Sequence, residues 1–313
     1  MKTLLNYIKE SLLLEGGHAV TAEPIPAYIA PFVYQEIEEK IKAWKKSVKL
    51  APLGSLGKKF DDQFTGDIDI AIDLGNKYEG SRAEIENLNR QDIVSMMKEL
   101  WPNVEISERT TNKIASMGYP YNINGKSGIA QIDFMFTDNL DWAKWRFSSP
   151  DLKNGESKYK AAPKVYLLMY IVSSIPVKDA QDEYFEDGVT VKRRWRYCFN
   201  QEGVFKQLED YTGKNGKPKK TATKLKEFEE LVTADPMNVM RFIFSKQDID
   251  TKIFNSVESL WDAIHSDLWP WGKEALGKAE ERWYKEYING QGMKECPVDP
   301  DDFKLEIYKP EEQ

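Results

Sequence analysis

The sequence predicts an α+β fold in which a mixed sheet with flanking helices is followed by a mainly α-helical part. The chain has 313 residues, enough for about two domains of roughly 150 residues each. Residues 67–74 alternate acidic and apolar side chains, which is typical of a strand with one polar face. Residues 158–175 form the most apolar segment and have helical spacing instead.

Helices and strands alternate through the first half of the chain. Short helices are predicted at Thr3–Leu14, before Gly16 and Gly17, and at Pro31–Lys46. A longer helix at Ala83–Leu100 ends before Pro102. Strands are predicted at Val48–Leu53, Asp67–Leu74, Val104–Ile106, Lys113–Tyr119 and Ile129–Phe136, the last of them after an Asn124-Gly125 turn.

The second half is predicted to be mainly helical with one β-rich interruption. A basic β-rich run at Val189–Phe199 follows a turn at Asp187-Gly188. Helices are predicted at 142–147, 158–175, 222–232, 237–243, 253–265 and 274–288. The expected division is an N-terminal arm at 1–22, a mixed α/β domain at 23–145, and a mainly helical domain at 146–313 with a β-rich insertion near 187–220.

Composition excludes several classes of protein. Hydrophobic residues make up 41% and charged residues 30%, which is ordinary for a globular chain and excludes a disordered or collagenous one. The apolar run Val165–Val172 is too short to span a bilayer, and the charged residues within 1–17 argue against a signal peptide. We expect a cytoplasmic protein without a membrane partner. Two cysteines and two histidines leave carboxylates as the expected metal ligands.

Basic residues are concentrated in one stretch of an acidic chain. The net charge is −7, yet residues 192–226 hold eleven basic and three acidic residues. Trp195 and Tyr197 are interleaved with arginines, as in a single-stranded RNA track. We therefore predict that Arg193, Arg194 and Arg196 bind nucleic acid. The alternative is a solvated hairpin whose aromatic side chains pack inward.

The segment 53–73 contains the residues that indicate chemistry. Gly54 and Ser55 follow a strand, where small residues let backbone N–H groups approach a phosphate, and Lys58 adds positive charge nearby. Asp67 and Asp69 project from one face because positions i and i+2 of a strand share a face. Like charges so close are costly without a cation between them, and oxygen ligands suit Mg²⁺ or Mn²⁺.

A third carboxylate, Asp133, lies on another predicted strand. Its neighbours are apolar, and a charge within a sheet core needs a partner. Three strand-borne aspartates with a Gly-Ser loop are suited to two-metal nucleotidyl transfer. The alternatives are that Asp67 and Asp69 form the solvent face of an edge strand and that Asp133 is a buried structural residue.

Gly54-Ser55, Asp67-Ile68-Asp69 and Asp133, in this order, resemble the motif of the DNA polymerase β-like nucleotidyltransferase superfamily. The resemblance covers about residues 48–136. The sequence of residues 54–58 is similar to that found in the branch of template-independent RNA nucleotidyltransferases and oligoadenylate synthetases. The strings LLLEGG at 12–17 and QIDFMF at 131–136 resemble phage-encoded nucleotidyltransferases over most of the chain.

The resemblance implies a nucleotidyltransferase domain that moves NMP from an NTP, with ATP expected, to an acceptor hydroxyl, with RNA expected. The implied ligands of two Mg²⁺ or Mn²⁺ ions are Asp67, Asp69 and Asp133, which are also the implied catalytic residues. The nucleotide-binding residues are expected to be Gly54, Ser55, Lys58, and a lysine among Lys158, Lys160 and Lys164. Two alternatives stay open: an adenylyltransferase acting on a protein or small molecule, and a non-catalytic phage protein that binds nucleotide or nucleic acid.

Overall fold

The computed structural model describes residues 19–80, 82–107, 114–177, 183–186, 189–200, 202–212, 218–290 and 297–303. The backbone divides into two compact units, with the first reaching Ala161 and the second starting at Ala162. The predicted helix at Thr3–Leu14 lies outside the described residues. The boundary predicted after residue 145 falls within the short helix Leu140–Phe147 and precedes this division by the end of that helix and the loop after it.

The first unit is built on a four-stranded mixed sheet. Its strands are β2 (Lys49–Pro52), β4 (Asp67–Asp73), β5 (Ile114–Ile123) and β6 (Lys126–Phe136), in the order β2-β4-β6-β5. Strand β4 is antiparallel to β2 and parallel to β6, and β5 and β6 form a hairpin. Asn124 and Gly125 join the hairpin with φ values of 51° and 73°, the positive values that a two-residue turn of this kind requires. A two-stranded ribbon joins β1 (Ile25–Pro26) to β3 (Phe64–Thr65).

One face of this sheet forms the main core of the first unit. Ile68, Ile70 and Ile72 of β4 point to this face and are fully buried. Two helices cover it, α1 (Ala30–Trp44) and α2 (Arg82–Leu100). The alternation of residues 67–73 thus places every isoleucine on the packed face and every aspartate on the other.

The opposite face is divided between an apolar part and an acidic part. Helix α3 (Leu140–Phe147) covers the apolar part, where Ala51, Ala71 and Ala143 are buried together. The small alanine side chains let the helix backbone approach the sheet closely. The acidic part of the face, at the beginning of β4, carries Asp67 and Asp69.

The second unit combines helices with a four-stranded antiparallel sheet. The sheet has the order β10-β9-β8-β7. Its strands are β7 (Glu183–Glu186), β8 (Val189–Phe199), β9 (Val204–Thr212) and β10 (Pro218–Thr233). The α-helices are α4 (Ala161–Ser174), α5 (Pro236–Phe244), α6 (Val257–Ile264) and α7 (Gly272–Arg282). Short 3₁₀ helices lie at Thr251–Phe254 and Pro300–Asp302, and a π-helix at Trp283–Ile288 follows α7.

The predicted α+β class is confirmed, with one element of the second unit assigned wrongly. The sequence predicts a helix at 222–232, but these residues belong to β10, which pairs with β9. The β-rich insertion predicted near 187–220 therefore extends to Thr233. Residues 253–265 also form two pieces rather than one helix, because Ser256 caps α6 with a capping box.

No helix within the described residues is both long and apolar enough to cross a bilayer.

Candidate active site

Three aspartates of the first unit meet on the acidic face of its sheet. Asp69 of β4 lies directly opposite Asp133 of β6 in the parallel register, and Asp67 lies opposite Gln131. Each of the three aspartates offers a carboxylate oxygen within 4.8 Å of those of the other two, and all three side chains are half-buried. The structure therefore brings together the three carboxylates that the sequence predicts as metal ligands.

The electrostatics of this aspartate cluster favour a bound cation. Burial raises the pKa of Asp69 well above its usual value, and the charges of Asp67 and Asp133 raise it further. Burial also raises the pKa of Asp133, although hydrogen bonds with Ser116 and Gln131 oppose that change. The three carboxylates repel one another and offer only oxygen ligands, which are the ligands that Mg²⁺ and Mn²⁺ prefer. The residues present thus fit a divalent cation.

Gln131 holds the carboxylate of Asp133 in place. Its Nε2 donates to Oδ1 and Oδ2 of Asp133, both at 3.1 Å, and its Oε1 accepts from the backbone N–H of Ala19 at 3.2 Å. The Gln131 side chain is only 4% exposed. Sequence reasoning missed this residue, although its position two residues before Asp133 places it on the same face of β6.

Gly54 lies against the aspartate cluster. Its φ is +58°, and a Cβ at this position would come within 2.9 Å of Asp69 Oδ2. The next residue back, Leu53, donates its backbone N–H to the carbonyl of Asp69 at 2.9 Å. Glycine is therefore required at position 54 both for its backbone conformation and for the close approach of a carboxylate.

The loop after Gly54 is attached to the end of α3. Gly54 forms a parallel bridge with Ser148, and the Lys58 ammonium donates to Ser148 Oγ and to the carbonyl of Ser149. Burial lowers the pKa of Lys58, while the charges of Glu156 and Asp151 act in the opposite direction. Lys58 thus joins the Gly-Ser loop to residues 148–149, a contact that the sequence did not indicate.

The other predicted nucleotide-binding residues of the first unit differ in exposure. Ser55 and Lys160 are half-buried, whereas Lys158 is exposed, with its ammonium 5.4 Å from the centre of the Tyr159 ring. Lys164 is only 3% exposed and belongs to α4 of the second unit. The contact of one of these lysines with a triphosphate stays a prediction.

The three predicted nucleic-acid residues follow one another along β8. Arg194 is exposed, while Arg193 and Arg196 are half-buried. Arg196 Nε lies 3.2 Å from Glu209 Oε2 of the neighbouring strand. Trp195 packs with its edge toward Phe228, and Tyr197 packs in the same way with Phe242 of α5. The interleaved aromatic side chains thus make contacts within the second unit.

Comparison with known proteins gives matches among solved structures. No protein family and no curated protein matches the chain. A ternary gap complex of Leishmania infantum polymerase beta is similar at 15% identity with a TM-score of 0.43, covering 71% of this chain and 67% of that one. A ternary P/T complex of the same polymerase is similar at 17% identity with a TM-score of 0.41, covering 72% and 74%. At TM-scores this low, the function of this chain has to be argued from the geometry of its own site.

Proposed function

We propose that this chain is a metal-dependent nucleotidyltransferase that moves NMP from an NTP to an acceptor hydroxyl. The observation that supports this proposal is the aspartate cluster, in which Asp67, Asp69 and Asp133 converge on one sheet face beside Gly54, whose missing side chain leaves room for Asp69. A purely structural acid cluster has no need of three mutually repelling carboxylates at one place, because each one raises the free energy of the folded protein.

In this proposal the chain's own residues position the reactants. Gly54 leaves space for the β- and γ-phosphates, which Ser55 would hold, because the Gly54 N–H itself donates to the carbonyl of Phe147 at 3.1 Å. Asp133, oriented by Gln131, would accept the proton of the acceptor hydroxyl. The hydroxyl oxygen then bonds to the α-phosphorus, and the bond from that phosphorus to the bridging oxygen breaks, so that pyrophosphate leaves with the electron pair.

We propose that the aspartate cluster holds two Mg²⁺ or Mn²⁺ ions and that ATP is the nucleotide. Asp67 and Asp69 would ligate both ions, and Asp133 would ligate one of them. When bound, such ions activate the attacking oxygen and neutralise charge on the leaving group. The protein's contribution is the register of β4 and β6, which fixes the two opposed carboxylates before any ligand binds.

RNA is the acceptor that we propose, because β8 carries three arginines among aromatic residues. Phosphate contacts from arginine would make RNA binding fall steeply with salt. A protein or small-molecule acceptor for adenylyl transfer would not require this dependence. Changing Arg193, Arg194 and Arg196 together to Glu tests the assignment: loss of RNA binding with NTP binding retained supports RNA, and unchanged RNA binding contradicts it.

The reaction itself is tested with each α-labelled NTP in turn, Mg²⁺ or Mn²⁺, and either total RNA or a protein lysate. Transfer of label with release of pyrophosphate is expected from the wild-type chain and not from Asp69→Asn or Asp133→Asn. Asp73→Asn is the matched control, because Asp73 lies on the same strand and face but outside the aspartate cluster. Absence of pyrophosphate release with every NTP and acceptor would favour a non-catalytic binding protein.

A further inference from the structure

A short segment near the N-terminus lies against the sheet of the first unit. Residues 19–23, here called the N-terminal segment, donate hydrogen bonds from three alternate backbone N–H groups. The acceptors are Gln131 Oε1 at 3.2 Å for Ala19, Glu105 Oε2 at 3.0 Å for Thr21, and the Ile129 carbonyl at 2.9 Å for Glu23. Two of these acceptors belong to β6, the strand that carries Asp133, so the segment is attached beside the aspartate cluster.

The sheet leaves space for the N-terminal segment. Strand β4 begins at Asp67, opposite Gln131, so Ile129 precedes the part of β6 that pairs with β4. Gly118 of β5 lies directly opposite Gln131 and therefore belongs to the same face of the sheet. A Cβ at Gly118 would lie 3.5 Å from the Thr21 carbonyl oxygen and 3.1 Å from Ile129 Cγ2. A longer side chain at this position would occupy space that the N-terminal segment fills.

The two contacts of Gln131 select one orientation of its side-chain amide. A backbone N–H only donates and an ionised carboxylate only accepts, so Oε1 has to face Ala19 and Nε2 has to face Asp133. The reversed amide would bring Oε1 against the carboxylate and the NH₂ group against the N–H of Ala19. The contact with Ala19 therefore favours the orientation in which Nε2 lies 3.1 Å from both carboxylate oxygens of Asp133.

Burial makes this orientation costly to lose. Gln131 and Val20, the residue after Ala19, are both buried, and a buried polar group that loses its partner keeps the cost of its desolvation. Ser116 of β5 lies directly opposite Asp133 and also forms a hydrogen bond with its carboxylate. Because Ser116 would continue to hold Asp133, loss of the Ala19 contact is expected to weaken metal binding rather than to abolish it.

We propose that the N-terminal segment is a positioning element of the aspartate cluster, in which the N–H of Ala19 orients the amide of Gln131 and Gln131 orients Asp133. The inference rests on the proposed function, since it takes the cluster as the metal site of a nucleotidyltransferase. It adds to that function a positioning residue 112 positions away from Gln131 in the sequence. Ala19 acts through its backbone, so the identity of its side chain does not indicate the role.

Ala19→Pro in the full chain tests the proposal, because proline lacks the backbone N–H. Ala27→Pro is the matched control. It removes the hydrogen bond from the Ala27 N–H to the Gln63 carbonyl at 2.9 Å, which involves neither the N-terminal segment nor the aspartate cluster. Position 27 is the second residue of a turn that the Ile29 N–H closes on the Pro26 carbonyl, and proline is favoured there.

The first measurement is calorimetric titration with Mn²⁺ in the absence of nucleotide. Ala19→Pro is expected to weaken Mn²⁺ binding roughly fivefold, the effect of one neutral hydrogen bond, and Ala27→Pro should bind as the wild type does. In a Gln131→Leu background, Ala19→Pro should cause no further loss, because the two residues act in series. In transfer assays, Ala19→Pro should lower kcat and leave the KM for NTP unchanged, since Ser55 keeps its surroundings.

The second measurement needs neither metal nor catalysis. Hydrogen exchange of the Gln131 side-chain NH₂ is followed by NMR in EDTA on chain labelled with ¹⁵N at glutamine, and the signal is identified by its loss in Gln131→Leu. In the wild type this group should exchange among the slowest of the glutamine side chains, because it is buried and hydrogen-bonded. Exchange should be faster in Ala19→Pro and unchanged in Ala27→Pro.

The outcomes separate this proposal from the catalytic one. A chain that binds Mn²⁺ but transfers no NMP would contradict the proposed function, while the Mn²⁺ affinities and the exchange rates would still decide the role of the segment. The positioning role is overturned if Ala19→Pro binds Mn²⁺ as tightly as the wild type, or if Ala27→Pro loses as much affinity. It is also overturned if Ala19→Pro keeps its full effect in Gln131→Leu, or if the wild-type Gln131 amide exchanges as fast as exposed glutamines.

Discussion

Replacing Asp69 by Asn is expected to stabilise the metal-free protein while abolishing its stabilisation by Mg²⁺. The amide keeps the shape of the carboxylate and removes one of three negative charges. Asp69 is the member of the aspartate cluster whose pKa is raised by burial and by both other carboxylates. At neutral pH, an ionised Asp69 therefore raises the free energy of the folded state relative to the unfolded one.

The magnitude follows from the separation of the charges. The carboxylate oxygens lie within 4.8 Å of one another. At that upper limit and an effective dielectric constant of about 20, two like charges repel by about 3.5 kcal/mol. Two effects reduce the free energy gained by removing this repulsion: the side chains are partly exposed to solvent, and an amide takes the place of the carboxylate. A net stabilisation on the order of 1–2 kcal/mol is therefore expected. For a unit of this size, that corresponds to a rise in melting temperature of roughly 3–6 °C.

The assay is thermal unfolding of the wild type, Asp69→Asn and the control Asp73→Asn, each in EDTA and in saturating Mg²⁺. In EDTA, Asp69→Asn should melt highest. In Mg²⁺ the wild type and Asp73→Asn should gain stability in proportion to the logarithm of metal concentration, whereas Asp69→Asn should gain little. The order of melting temperatures should therefore reverse between the two conditions.

Two results would refute this reasoning. If Asp69→Asn is less stable than the wild type in EDTA, the carboxylate makes a stabilising contact that outweighs its repulsion. If its Mg²⁺-dependent gain equals that of the wild type, the metal binds elsewhere and the aspartate cluster is not the metal site.

Three further outcomes are expected. Gly54→Ala should lower stability by about 1–2 kcal/mol in urea unfolding, because alanine disfavours a φ of +58°, and should displace Asp69, so that transfer activity is lost. Gln131→Leu should weaken Mg²⁺ binding by roughly 10–100-fold in titrations, because Asp133 loses one of its two orienting partners and keeps only Ser116. Burial raises the pKa of Cys198 to about 11, so its alkylation, followed by peptide mass spectrometry, should be slow at pH 8 and rise roughly tenfold per pH unit toward pH 10.

The acidic face of β4 was predictable because its signal is local. Alternation over 67–73 fixes which side chains share a face, whatever strand lies beside them. That Asp133 would share a site with Asp67 and Asp69 was only an expectation, because parallel register is set by packing across a long crossover and not by the strand sequences alone. The same limit applies to Gln131. Its contact with Asp133 follows from their spacing on one strand, but its contact with Ala19 does not, because these two residues are 112 apart in sequence.

Strand β10 shows where local pattern fails. Leu225, Phe228 and Leu231 recur every three residues, a spacing that fits a helix face as well as an irregular strand. The structure pairs Leu225 with Leu208 of β9 and introduces register shifts after it, so the period of two is interrupted. Phe228 and Leu231 remain exposed. Pairing with the preceding strand β9 decided this element, and the spacing of apolar residues within 222–232 does not contain that information.

The packing of the sheet explains how three repelling carboxylates are held together. Strands β4 and β6 run parallel in a register that puts Ala71 opposite Met135 under α3, and the same register puts Asp69 opposite Asp133. A slip of two residues would keep every side chain on its face but place Ala71 opposite Asp133. That register would bring Asp133 toward the apolar layer of α3, where an uncompensated charge costs several kcal/mol. The apolar part of the face therefore fixes the acidic part, and burial of alanines and isoleucines supplies the free energy that opposes the repulsion among the aspartates.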